Sequence, residues 1–269
     1  MNNTENLTRP GTFGMTRRIL RVDVRRTLRS RTFYILLAVS LLVPILMTVM
    51  MTMMDGSVSV DPQTGVETVI HGPENTWQSI GTLPGAEAMG GMDVMAMCNI
   101  NMMFMAVAVF VCLFISGDFS SGYAKNIFTV RARKVDYVIS KTLVGFVTGA
   151  LMLVLYFIGA VIGGAVSGLS FDLMGLSPVN LVWCILAKIC LMLVFVPIFV
   201  CISVAAKSRA WLSICASLGG GMLLFMTVGL ITPLGSTPMN VLLCLLGGTL
   251  FSVGLGAISN LVLNKTSLV

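Results

Sequence analysis

Charge is scarce in this chain of 269 residues. Only 10% of them are Asp, Glu, Lys or Arg, against roughly 25% in an average soluble domain. Hydrophobic residues make up 56%, and the mean hydropathy is +0.95. A soluble fold of this length has too little polar surface to cover so much apolar material, so lipid is the expected solvent. Histidine occurs once, as His71 in a polar stretch. Near Glu67 and Glu74 it reads as an inert loop residue rather than a metal ligand. No HExxH, no GxSxG and no pair of carboxylates within an apolar run is present, which removes the common zinc and serine hydrolase chemistries. No GxxxxGK[ST] occurs, so any ATP must be held by another polypeptide. The seven cysteines lie in apolar stretches without a CxxC pair. They read as small buried hydrophobes, not as a disulfide or zinc framework.

What is present is a series of long apolar runs. A spanning helix takes ~20 mostly apolar residues. The runs are Thr32–Met54, Val94–Gly117, a stretch within Thr142–Phe171, and one that starts after Pro178 and reaches Ala206, interrupted by Lys188. The apolar stretch after Arg209 breaks at Thr232-Pro233-Leu234-Gly235-Ser236-Thr237-Pro238, giving Ala210–Ile231 and Met239–Leu263. Turn chemistry of that kind ends helices. The first run is too long for a signal core of ~7–15 residues and reads as a retained span. The expectation is an all-α integral membrane protein with six transmembrane helices.

The basic residues sort sharply on six spans. Every one of the 17 Lys and Arg except Lys188 falls on one side. The other side carries Asp55, Asp61, Glu67, Glu74, Glu87, Asp93 and Asp172. The positive-inside rule puts the basic side, and with it both termini, in the cytoplasm. The net charge of +6 then reflects topology and anionic lipid rather than nucleic acid. This divides the chain into a cytoplasmic N-terminal arm (1–31), a six-helix membrane domain (32–264) and a cytoplasmic tail (265–269). The membrane domain includes an acidic outer loop (55–93) and a cytoplasmic loop (118–141). Within the arm, Leu20, Val24 and Leu28 form an i, i+4, i+8 stripe among arginines, the pattern of an interfacial amphipathic helix.

Lys188 is the one charge this sorting leaves over. It lies ~15 Å by helical rise from the outer end of its run. Two readings stand: snorkelling or pairing within the bundle, and a role in a transport pathway. The glycine pairs Gly145/Gly149, Gly159/Gly163 and Gly164/Gly168, with Gly219–Gly221 and Gly247-Gly248, suit close helix packing. The methionines clustered around the first two outer ends suit either lipid contact or a varied apolar cargo.

The connection between the second and third runs is the most specific feature. Asp118-Phe119 ends a run, Gly122 follows, then Lys125-Asn126, Arg131, Arg133-Lys134 and Ser140-Lys141. This resembles the cytoplasmic loop of type-2 ABC exporter permeases, particularly the small six-span permeases of peptide-export and bacteriocin-immunity systems. The arginine-rich arm ending in Arg29-Ser30-Arg31-Thr32-Phe33 is similar to that family as well. The resemblance implies a transporter subunit without its own catalytic, metal or cofactor site. ATP and Mg would belong to separate ABC ATPase subunits, and a second copy or related permease would complete the path. It implies that Asp118, Phe119, Gly122, Lys125, Asn126, Arg131, Arg133 and Lys134 form the ATPase-docking and coupling element. Cargo would be an amphipathic peptide, lipid-like molecule or hydrophobic compound, exported across a bacterial inner membrane. The rival readings are a sensor or scaffold using the acidic outer loop, and a secondary carrier using Lys188.

Overall fold

The structure, a computed structural model, describes residues 12–60, 67–69, 72–81, 99–129 and 133–265. The long elements are α1 (Thr12–Arg29), α2 (Arg31–Met53), α3 (Met102–Ser120), α4 (Tyr123–Thr129), α5 (Lys134–Val166), α6 (Pro178–Ala206), α7 (Ala210–Ile231) and α8 (Pro238–Lys265). By length and composition α2, α3, α5, α6 and α8 can cross a membrane. In α7, of 22 residues, the apolar stretch Ala210–Phe225 is shorter. The protein is thus an all-α membrane fold.

Four of the six expected runs match their helices to within two residues. The second and third differ. Helix α3 starts at Met102 and continues through Asp118 to Ser120, so that acid sits inside the helix instead of ending it. Helix α5 starts at Lys134, eight residues earlier than the apolar run. Its 33 residues rise ~50 Å, more than the ~30 Å of a hydrocarbon core. The polar first turns, including Ser140 and Lys141, are therefore helical. Hydropathy marks where apolar sequence begins, whereas a helix with buried partners for its polar side chains can begin sooner.

Along the middle of α2, small and polar residues rather than large apolar ones face the bundle. Helix α2 buries Phe33, Ser40, Pro44, Thr48 and Met51 and exposes Ile35, Leu42, Leu46 and Met53. Small and polar residues let backbones approach, and large apolar ones meet lipid. Pro44 cannot donate a helical hydrogen bond, and Thr48 Oγ1 donates to its carbonyl at 2.7 Å. Opposite this stretch lie the glycines of α5. A Cβ on Gly159 would collide with the Leu41 carbonyl, and one on Gly163 would lie 3.0 Å from Ile45 Cα. Gly145 and Gly149 admit Val196 and Met192 of α6 and Val111 and Val107 of α3. Helix α5 is thereby the central post of the bundle. Helix α8 packs on α6, where Gly248 faces Leu193 and Ser252 Oγ donates to the Leu193 carbonyl at 2.6 Å.

The described part of the outer loop folds as a cap. A hairpin pairs β1 (Val58–Val60) with β2 (Glu67–Val69). A 3-10 turn, Thr76–Ser79, follows. Trp77 stacks on Phe157 of α5 at 6.3 Å, and its Nε1 donates to the Phe171 carbonyl at 3.1 Å. His71, Asp61, Glu87, Asp93 and Cys98 lie outside the described residues.

Candidate functional site: an ionic centre beneath a short exposed helix

Helices α1 and α2 meet at Ser30, whose extended backbone turns the chain sharply. That turn lays one face of α1 against the bundle. Ile19, Asp23 and Thr27, spaced i, i+4, i+8, are buried. Val24 and Leu28 of the expected apolar stripe are exposed. Only Leu20 of that stripe packs against the core, and the face that does pack carries the acid Asp23.

Asp23 and Asp118 meet Arg26 and Lys141 in one closed cluster. Lys141 Nζ lies 2.8 Å from Asp23 Oδ1 and 2.6 Å from Asp118 Oδ2. Arg26 Nη1 pairs with Asp118 Oδ1 at 2.7 Å. Tyr137 Oη donates to Asp118 Oδ2 at 3.0 Å, and Ser140 Oγ to Asp23 Oδ2 at 2.6 Å. Two carboxylates balance two cations, and both acids are fully buried. Aromatic faces complete the enclosure. Arg26 lies 4.0 Å from the Tyr123 ring centre, and Lys141 lies 4.0 Å from that of Phe114. Such cation–π contacts strengthen when desolvated.

Electrostatics agree with this geometry. Burial opposes the Arg26 charge, but the charge of Asp118 and its hydrogen bond outweigh that and raise the guanidinium above its ordinary value. Burial first, and the Asp23 charge second, push the Tyr123 phenol up, so it stays neutral. A buried pair of this quality gains little net stability over apolar packing, yet breaking it strands a buried charge at ~3–5 kcal/mol. The cluster therefore acts as a rigid joint. It ties α1 (Asp23, Arg26), α3 (Asp118) and α5 (Tyr137, Ser140, Lys141) at one point, with Tyr123 of α4 over it.

Helix α4 stands on that joint. Gly122, at φ +73°, makes the turn from α3 into α4, a backbone setting that glycine adopts without strain. Ala124 is buried, and Phe128 meets Tyr137 edge-on at 5.4 Å. Phe119 packs against the core. Lys125, Asn126 and Arg133 are exposed. Lys134 is partly engaged inside the protein, because its Nζ donates to the Leu263 carbonyl of α8 at 2.7 Å. Thr16 Oγ1 donates to Asp136 Oδ1 at 2.7 Å, a second tie between α1 and α5. Arg131 lies outside the described residues. The expected set thus divides: Asp118, Phe119 and Gly122 build the base, and Lys125, Asn126 and Arg133 face outward. Asp23, Arg26 and Tyr137 went unassigned in the sequence reading. The available signal was an isolated acid among arginines, on the same helical face as Ile19 and Thr27.

Lys188 lies elsewhere. It is fully buried and does not snorkel. Its Nζ donates to Asn101 Oδ1 at 2.7 Å and to Thr232 Oγ1 at 3.1 Å. Those residues cap the start of α3 and the end of α7. A cation near a helix C-terminus is favoured by the helix dipole. Among the described residues no carboxylate pairs with it.

Residues 19–223 match the family described as ABC-2 family transporter protein. Neither a curated protein nor a solved structure matches the chain. The match spans well over half the sequence and takes in the second half of α1, the ionic centre, α4 and most of the bundle. The chain belongs to the ABC-2 transporter family, as a multi-pass membrane permease component of an ABC transporter.

Proposed function

We propose that this permease serves an ATP-driven exporter, with α4 as the docking element for a separate ABC ATPase. The observation that carries this reading is the ionic centre beneath α4. A push on a short helix in a loose loop would dissipate, because loops yield. A push on α4 is handed to α1, α3 and α5 together, through buried ion pairs in which removing one partner costs ~3–5 kcal/mol. The exposed Lys125 and Arg133 then suit an acidic rim on the ATPase. In this reading α4 faces the cytoplasm, in line with the sorting of basic residues, and the host membrane is a bacterial inner membrane. ATP and Mg reside in the partner, and a second permease copy or a relative completes the path. Outward movement of an amphipathic peptide, lipid-like molecule or hydrophobic compound fits the apolar, methionine-rich spans.

The test is Lys125→Glu combined with Arg133→Glu. Both side chains are exposed, so insertion and the thermal unfolding midpoint should match the parent. Copurification with the ATPase, and stimulation of its hydrolysis by the permease, should be lost. Normal ATPase binding and transport in the double variant would overturn the docking role.

A further inference from the structure

A crevice of about 170 Å³ opens beside the ionic centre. Arg26, Ser30 and Thr32 make its polar side, and Phe110, Leu113, Phe114 and Gly117 make its apolar side. The polar wall is the junction of α1 and α2, and the apolar wall is the facing side of α3. Pockets for drug-sized ligands run ~300–1,000 Å³, so this one is too small for a cargo molecule. It suits the headgroup of a molecule whose apolar remainder lies outside.

The chemistry of the walls specifies that molecule. Arg26 is one-third exposed, and both of its ion pairs run through Nη1. A guanidinium carries five N–H donors in a planar fork suited to phosphate. Ser30 stands at the N-cap position of α2 without a side-chain capping bond, so its hydroxyl is not committed to the helix. Thr32 adds a second hydroxyl. Beyond the crevice, Arg17, Arg18, Arg21, Arg25 and Arg29 line the exposed side of α1, and none enters a salt bridge among the described residues. Just below, α2 exposes Tyr34 and Ile35, as a lipid-facing helix does. A free anion would use the polar wall alone, whereas Leu113, which is 38% exposed, prolongs the site with an apolar wall.

We infer that this crevice binds the headgroup phosphate of an anionic phospholipid, its acyl chains running down along α2 and α3. Arg26 then serves two partners, the lipid phosphate and Asp118. An occupied crevice holds the α1 side of the ionic joint in place, so the charge of the surrounding membrane reaches the base of α4. The binding site itself does not depend on the docking role of α4.

The test needs no ATPase. The full chain is reconstituted in phosphatidylcholine vesicles doped with either spin-labelled phosphatidylglycerol or spin-labelled phosphatidylcholine, and the motionally restricted fraction of each label is measured. Phosphatidylglycerol should be retained over phosphatidylcholine by roughly tenfold, the worth of one charge-assisted contact, because both carry the phosphate but the cationic choline is repelled by Arg26 and the neighbouring arginines. Leu113→Trp fills the crevice and leaves every arginine in place. Arg26→Lys keeps the cation near Asp118 and loses the fork. Leu113→Trp should bring the preference down toward parity, and Arg26→Lys, which keeps the charge, should lower it only in part. Full preference in folded Leu113→Trp would assign the effect to the surface arginines and overturn the site, and an unchanged preference in Arg26→Lys would overturn the role of the guanidinium fork. Displacement of the labelled lipid by soluble glycerol phosphate as readily as by phosphatidylglycerol would overturn the lipid assignment.

Discussion

Two lysines are buried in this protein, and they are solvated in opposite ways. Lys141 faces two carboxylates at 2.8 and 2.6 Å. Lys188 faces an amide oxygen and a hydroxyl at 2.7 and 3.1 Å. Around Lys141 the whole local structure is ionic, and each member is needed to keep another neutralised. Around Lys188 the acceptors are neutral and would survive its loss with one unmet hydrogen bond. Burial alone therefore does not say how much a charge matters; what is left behind when it is removed does.

The comparison is most strongly tested by Lys141→Met. This leaves Asp23 and Asp118 buried with Arg26 as the sole cation, and a loss of ~3–5 kcal/mol is expected. Thermal unfolding in detergent reads it, and combining the change with Asp23→Asn should recover part of the loss. Lys188→Met is expected to cost less, ~1–2 kcal/mol, because Thr232 Oγ1 still donates to the Val228 carbonyl and only Asn101 Oδ1 is left without its donor. An equal loss at the two lysines would break the distinction and point to a carboxylate beside Lys188. The smallest effect should come from Tyr137→Phe, which removes one of three donors to Asp118. About 1 kcal/mol is expected, with ATPase coupling reduced rather than abolished. No change in stability on removing that hydroxyl would show that the two cations alone satisfy Asp118.

The same contrast explains what could be read early. The apolar helices were legible because hydropathy is a local property, and the fourth was placed to within one residue of Pro178–Ala206. The start of α5 was not, because Asp136, Ser140 and Lys141 look like loop residues until their partners are known. Phe119, Gly122 and Lys125 were singled out through a motif. Asp23 belongs to no motif in the loop and reaches Lys141 across 118 positions of sequence. Lys188 was legible as an anomaly, but its partners Asn101 and Thr232 are ordinary residues at helix ends. The glycine pairs of α5 were legible as packing residues, though nothing local said that Gly159 meets α2 while Gly145 meets α3 and α6.

The amino-acid sequence by itself determined the solvent, the apolar helices and the clustering of Lys and Arg in a few short segments, because each follows from the composition of a continuous stretch. Only the tertiary structure decided which charges are neutralised and by whom. An ion pair depends on a few ångströms of separation, and Asp23, Asp118 and Lys141 acquire that separation only when α1, α3 and α5 pack together.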